Sequence, residues 1–435
     1  ADELLFPDRE TRVARRGGKR RVARLVRSAA RVPAAGDALS RVRADRSYLV
    51  TGGLGGIGLR LAGWLAEAGA GAVVLNGRRA PDPDAAAAIG ELCERGVDVR
   101  VEIADVTDGQ AVTAMLARMD AAGLPLGGLF HSVGVLADAA ITNQDWGRFE
   151  TVLAPKVVGA WRLHRAMLDR ELDLFVLFSS VSGVLGNAGQ ANHAAANAFL
   201  DQLARHRRSL GLPGQAIAWG PWSGLGEAEE QRDRIARRLA SRGVAWVTPA
   251  EGFRALERLL RENVGTAAVA SVDWPAFEAA AAAHPFFAEV TGKGVAGGAP
   301  VETDGFAARV RAAPAASRER LVLDVVREEL RLALGRPSAP PPDVPFFDLG
   351  MDSLMAVELR TRLNRRLAGE FVVPNTIAFN YPSAQKLARH LVERLASGEK
   401  PAPDAPASPP RRDPASALSV EEFAEQLALG EDDDV

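Results

Sequence analysis

The sequence predicts a doubly wound α/β domain built on a parallel sheet, followed by a small four-helix domain. Three observations lead there. Short apolar runs alternate with helix-like stretches from Arg46 to about Pro285, and a glycine-rich turn joins the first strand to the first helix. Beyond residue 290, a block with helical periodicity stands between two Gly- and Pro-rich segments. Strands separated by helical stretches of roughly ten to fifteen residues imply right-handed crossovers, hence a parallel sheet covered on both faces.

The elements follow in order. Tyr48-Leu49-Val50 reads as the first strand, residues 58–68 as a helix and residues 72–75 as the second strand. Val99-Arg100-Val101-Glu102-Ile103 alternates as a strand does. Gly128-Leu129-Phe130 and Leu174-Phe175-Val176-Leu177-Phe178 are continuous apolar runs of the kind buried on both faces. Gly297-Gly298-Ala299-Pro300 marks a flexible linker. Past it, Leu321, Val322, Val325, Val326 and Leu330 repeat at the spacing of one buried helix face. Pro340-Pro341-Pro342 breaks the pattern, which restarts at Phe346. Prolines at 401, 403, 406, 409, 410 and 414 make an extended tether. Residues 419–429 read either as a short amphipathic helix or as a disordered tail. The expected organisation is a basic linker or strand remnant over 1–45, the α/β domain over 46–290, a linker over 291–316, the helical domain over 317–398, and a Pro-rich tether with an acidic tail over 399–435.

Composition narrows the function classes. The 435 residues are 47% hydrophobic and 25% charged, enough for a sizeable core and unlike a disordered chain. Lys plus Arg number 53 against 55 Asp plus Glu, a net charge of −2 that gives no nucleic-acid footprint. The basic run from Arg9 to Arg46 includes Arg-Gly-Gly-Lys-Arg-Arg at 16–21, but Val22, Leu25 and Val26 lie within it, so a structural strand with a solvated charged face is expected there. The single cysteine, Cys93, allows neither an internal disulfide nor a cysteine zinc site, and fits a cytoplasmic protein without a metal. No run approaches the ~20 apolar residues of a membrane span. The chain opens in mid-pattern at Ala1, as a piece of a longer polypeptide would.

Thr51-Gly52-Gly53-Leu54-Gly55-Gly56-Ile57-Gly58 follows the first strand directly. A turn of this kind lets pyrophosphate reach backbone amides at a helix amino-terminus, where a Cβ would stand in the way. The second strand runs on into Leu75-Asn76-Gly77-Arg78-Arg79. The carboxylate that an NAD site uses on the ribose hydroxyls is absent, and two arginines suit a 2′-phosphate instead, so NADPH is the expected cofactor. The alternative for Arg78 and Arg79 is mere solvation. Asp105 and Val106, after the third strand, are placed to touch adenine, although Asp105 would look the same as a turn-capping acid.

Here a resemblance is plain. Residues 46–285 resemble the catalytic half of the ketoreductase domain of modular polyketide synthases, a branch of the short-chain dehydrogenase/reductases with a Rossmann sheet. The matching runs are residues 51–58, His131-Ser132-Val133-Gly134-Val135, Ala154-Pro155-Lys156, Phe178-Ser179-Ser180 and Ala194-Ala195-Ala196-Asn197-Ala198-Phe199-Leu200-Asp201. The resemblance implies reduction of a β-ketoacyl thioester, with His131 and Ser132 near the cofactor and Lys156, Ser180 and Asn197 in the catalytic set. The family's tyrosine, four residues before the asparagine, is His193 here. Tyr48 and Tyr381 are the only tyrosines, and neither position can substitute.

Two expectations therefore compete. Either His193 is a working proton donor to the developing alkoxide, or the substitution disables reduction and the fold survives as a scaffold for acyl carriage. A Lys156 ammonium nearby would push the imidazole pKa below its ordinary 6.5, leaving a neutral ring that can still act as an electrophile. Retention of Ser180, Lys156, Asn197 and the whole glycine turn favours a working site. The run Leu136-Ala137-Asp138 keeps part of the Leu-Asp-Asp signature of one stereochemical class, and Leu185 stands where the opposite class has tryptophan. Trp219-Gly220-Pro221-Trp222-Ser223-Gly224 is expected either to close over the site with a mobile 227–242 segment or to pack as a surface loop.

Asp348-Leu349-Gly350-Met351-Asp352-Ser353-Leu354 looks like the 4'-phosphopantetheine attachment motif of acyl carrier proteins, with Ser353 at the exposed start of a helix. A flexible arm there would raise the effective concentration of an acyl chain at the reductase. The resemblance implies as partners a phosphopantetheinyl transferase and other polyketide synthase domains, namely ketosynthase, acyltransferase and dehydratase.

Overall fold

The structure is a computed structural model that describes residues 10, 12–28, 41–187, 189–224, 243–281, 285–291, 306–334, 338–346, 348–349, 351, 353–367, 373–374 and 377–397. The chain divides into two compact units between Gly292 and Lys293.

The first unit opens with a hairpin, β1 (Val13–Arg16) and β2 (Lys19–Val22), paired antiparallel. Residues 13–22 of the basic run are thus a strand pair, and its turn is Gly17-Gly18, both at positive φ. Two such glycines between short strands are the signal of a two-residue hairpin. The segment is pinned to the domain: Leu25 N–H donates to Phe286 O at 2.8 Å, and the Arg27 guanidinium lies 3.7 Å above the Trp274 ring.

The sheet itself contains β3 (Ser47–Thr51), β4 (Ala72–Gly77), β5 (Val99–Ile103), β6 (Leu126–His131), β7 (Leu174–Ser180), β8 (Gln215–Trp219) and β10 (Thr266–Val269). A short strand, β9 (Val244–Ala245), pairs outside it with β11 (Ser271–Val272). The strand order is β5-β4-β3-β6-β7-β8-β10, and every pairing in it is parallel. The helices that cover it are α1 (Gly56–Glu67), α2 (Pro83–Glu94), α3 (Gly109–Ala121), α4 (Trp146–Leu153), α5 (Gly159–Ala166), α6 (Val181–Leu185), α7 (Ala191–Ser209) and α8 (Pro249–Arg261). Two more, α9 (Trp274–Ala281) and α10 (Ala288–Thr291), follow.

Alternation along the strands divides the core. Tyr48, Val50, Val73, Leu75, Val176 and Phe178 pack with α1 and α8, whereas Leu49, Val74, Phe175 and Leu177 pack with α3, α5 and α7. Central strands such as β7 are covered on both faces and read as unbroken apolar runs, whereas the edge strand β5 alternates. Each fully buried Leu or Phe contributes about 1.5–3 kcal/mol. Because β3 connects outward through α1 to β4 on one side and has β6 on the other, the order reverses between β3 and β6. The carboxyl ends at that reversal leave a crevice.

The second unit holds α11 (Phe306–Ala312), α12 (Ala315–Leu334), α13 (Ser353–Leu367), the single turn α14 (Ile377–Asn380) and α15 (Ala384–Ser397). Its core joins Val322, Val326 and Leu330 to Leu359, Leu363, Leu387 and Leu391. The 291–316 stretch is not linker throughout. Phe306 and Val310 on α11 are buried, 3% and 1% exposed, in this same core. A seven-residue helix is hard to read from sequence because Phe306 and Val310 are separated by alanines and an arginine. Glu329 crosses from α12 to α13, accepting from Arg366 Nε at 2.7 Å. The linker residues 293–305, the segment 227–242 and the tail from 399 lie outside the described residues, as do Gly350 and Asp352.

Candidate active site

Four strand ends meet in one cavity of about 430 Å³. The end of β3 runs into Gly52, β6 into Ser132, β7 into Ser180 and β8 into Trp219, and all four of these residues line it. The glycine turn forms its floor. Gly52 has φ +70, and a Cβ there would stand 2.9 Å from Val133 Cα. A Cβ on Gly53 would lie 2.6 Å from the Val50 carbonyl oxygen. A side chain at Gly52 or Gly53 would collide with neighbouring backbone, so both positions require glycine. Gly55, Gly56, Ile57 and Gly58, at the start of α1, also line the cavity.

The other residues expected at the cofactor divide between lining and support. Asn76 is buried; its Nδ2 donates to Glu102 O and Ala104 O, and its backbone carbonyl accepts from Gly53 N at 3.0 Å, so it fixes the turn. Leu54 packs beneath, against Gly77. Arg78 and Arg79 are exposed immediately past β4. Asp105 Oδ1 accepts from Thr107 N and Thr107 Oγ1 at 2.9 and 2.8 Å, the turn-capping role. The Val106 side chain is buried in the core against Gly159. His131 is fully buried, its Nδ1 2.7 Å from Thr51 Oγ1, and the Ser132 hydroxyl donates to Thr51 O. Burial first, then the Lys156 charge, hold the His131 pKa down to about 3.

Lys156 sits on a π-helical turn, Ala154–Val158, between α4 and α5. Such turns are uncommon and concentrate at functional sites. Its Nζ donates to Phe178 O at 3.0 Å, tying the lysine to β7 just ahead of Ser180. His193 lies in the first turn of α7, where Asn192 Oδ1 accepts its N–H at 2.8 Å. Asn192, fully buried, also donates to Ala137 O and Arg148 O. Lys156, Ser180 and His193 all line the cavity. Asn197 does not; it is buried behind, its Nδ2 donating to His193 O at 2.8 Å.

The His193 ring is asymmetric. Nδ1 is buried without a hydrogen-bond partner among the described residues, so Nε2 is the nitrogen that can meet a ligand. Burial, and secondarily the Lys156 charge, lower its pKa to about 3. The ring is therefore neutral near pH 7. Sequence reasoning missed the polar brace around this helix start: Gln190 Nε2 donates to both Asp138 oxygens, and Asn187 Nδ2 to Gln190 Oε1. The signal was a run of amides at 187, 190 and 192 in an otherwise small-residue stretch. Leu136 and Leu185 line the apolar wall. Trp222 packs on Trp219 and Phe253, centroids 4.9 and 5.4 Å apart, which pins the 219–222 segment beside the site.

A seven-stranded parallel sheet with a glycine turn at its reversal point and Ser, Lys and Asn at these strand and helix ends defines a reductase fold of the short-chain dehydrogenase type. Residues 46–224 match the KR domain family, and residues 322–391 match the phosphopantetheine attachment site family. The chain belongs to the ketoreductase and carrier segments of type I polyketide synthases. It is 37% identical over 367 residues to a phenolphthiocerol/phthiocerol polyketide synthase of Mycobacterium tuberculosis, a match spanning 82% of this chain and 16% of that protein. It is 41% identical over 371 residues to polyketide synthase GfsB of Streptomyces halstedii, spanning 83% of this chain and 7% of that one. The chain thus spans a small fraction of these relatives. A solved A1-type ketoreductase is 38% identical with a TM-score of 0.61, covering 67% of this chain and 61% of its own. A structure of A-type ketoreductases from a modular polyketide synthase is 39% identical at TM-score 0.60, with the same coverage. Among the described residues, no helix is long and apolar enough to cross a membrane.

Proposed function

We propose that the first unit reduces a β-ketoacyl thioester with NADPH and that the second carries the growing chain on phosphopantetheine at Ser353. The observation that carries this reading is the convergence of Ser180, Lys156 and His193 on one cavity. The glycine turn would hold the pyrophosphate, and the exposed pair Arg78 and Arg79 a 2′-phosphate. Bound NADPH supplies the hydride. The chain's own residues do the rest. Ser180 and neutral His193 donate hydrogen bonds to the ketone oxygen, where negative charge grows as the carbonyl carbon is reduced. The Lys156 ammonium favours that charge through the low-dielectric cavity, and the alkoxide takes its final proton from solvent at the mouth. The apolar wall of Val135, Leu136, Val181, Leu185 and Val244 suits an acyl chain.

Ser353 begins α13 within the matched attachment domain. A phosphopantetheinyl transferase would load it, and ketosynthase, acyltransferase and dehydratase domains would supply or consume the acyl chain. The test is NADPH consumption with a β-keto thioester by wild type, His193→Ala and His193→Tyr. Turnover by wild type and its loss in His193→Ala support reduction. For the carrier, coenzyme A and the transferase raise the intact-protein mass, and Ser353→Ala abolishes the rise.

One observation favours a second reading. A histidine with its pKa near 3 holds no imidazolium to protonate an alkoxide, as a redox-silent scaffold would tolerate. Inert wild type with active His193→Tyr selects that reading.

A further inference from the structure

We propose that Ser182 is a positioning residue that makes the Ser180 hydroxyl a dedicated donor toward the substrate carbonyl. This rests on the reduction proposed above and adds a residue to it. Ser180 ends β7 and caps α6, accepting from Ser182 N at 3.2 Å. The Ser182 hydroxyl lies 3.0 Å from the same Ser180 oxygen. Both serines line the cavity, yet Ser182 is only 5% exposed.

A hydroxyl has one proton and two acceptor positions. The Ser182 backbone N–H occupies one acceptor position on Ser180 Oγ. The hydroxyl–hydroxyl contact can run in either direction, and burial decides between them. Among the described residues, the Ser180 oxygen is the acceptor that Ser182 O–H reaches. Ser182, 5% exposed, offers its own proton far less cavity surface than the half-buried Ser180 does, so the arrangement in which Ser182 donates satisfies both hydroxyls best. Ser182 therefore donates. Ser180 Oγ then accepts twice, and its own proton is left with the cavity as its open direction. Two donors on one oxygen also polarise its O–H, since chained hydrogen bonds strengthen one another in a low-dielectric site. Neither serine gives up a proton; the pair orients and polarises, and the ketone oxygen is the acceptor it awaits.

The experiment uses the full chain with NADPH and a diffusible β-keto thioester. Ser182→Ala should lower kcat about tenfold while leaving the thioester KM, NADPH affinity by fluorescence titration and melting temperature as in wild type. Ser182→Thr, which keeps the hydroxyl, should recover most of kcat. An active wild type with Ser182→Ala equally fast or faster overturns this inference alone. So does a threonine variant as slow as alanine, because packing and not the hydroxyl would then be at stake. A wild type without turnover overturns the reductase reading and this inference together.

Discussion

Asn197 stands one helical turn after His193 and donates from Nδ2 to the His193 carbonyl at 2.8 Å. The two residues thus form one rigid unit at the start of α7, with Asn192 holding the His193 amide on its other side. The imidazole is positioned by backbone and neighbours, not by a bond to its buried nitrogen, because Nδ1 has no partner among the described residues. A ring placed this way can serve as a neutral donor whose strength does not follow its own titration.

That gives the first prediction. With the His193 pKa near 3, the imidazole stays neutral throughout the physiological range, so kcat for reduction should be flat between about pH 5.5 and 7.5. A rate that instead rises as pH falls through 6.5 would show imidazolium acting as the acid. The check is a kcat–pH profile set beside His193→Tyr, whose phenol should bring a dependence at higher pH.

Stability should carry the opposite signature. His131 and His193 are both held near pKa 3 by burial, against 6.5 in the unfolded chain. Between those values the unfolded state binds more protons, so stability rises with pH there and is lost as pH falls from about 6.5 toward 3. His193→Phe should reduce the slope of melting temperature against pH over that window, leaving the part that His131 contributes. An unchanged slope would mean the ring is hydrated in solution.

How much of this was legible in the sequence depends on the kind of signal. The sheet was readable because both faces are buried, leaving runs such as 174–178 that no other element explains. The glycine turn was readable because Gly52 and Gly53 tolerate no Cβ. His193 stood out as a single substitution in a dense motif. What the sequence left open was decided in three dimensions: Asn197 lies behind the cavity, the Val106 side chain in the core, and the Asp105 carboxylate bonds within its own turn. Ser182 matters through one 3.0 Å contact, and nothing in its spacing announces that contact.

Arg78 and Arg79 supply the third prediction. They are exposed directly past β4, beside the turn that Asn76 braces, and Asn76 offers no carboxylate for ribose hydroxyls. Replacing both by alanine should raise the KM for NADPH by roughly ten- to a hundredfold, as loss of charge-assisted bonds worth about 1.5–3 kcal/mol implies. The KM for NADH should barely move. Equal effects on both cofactors would place the arginines outside the phosphate site.

The last prediction concerns where the carrier unit begins. Phe306, 3% exposed, packs from α11 into the core that Val322, Leu359 and Leu391 share. A tether would leave such a ring in water. Phe306→Ala should therefore destabilise the second unit by about 3–5 kcal/mol, the usual range for a buried phenylalanine cut to alanine. For a helical unit this small that is a large share of its stability. Chemical denaturation of the excised 293–398 segment is the measurement, with Phe306→Leu recovering most of the loss. If Phe306→Ala unfolds at the wild-type midpoint, α11 contributes nothing to the core, and the folded carrier unit starts only at Ala315.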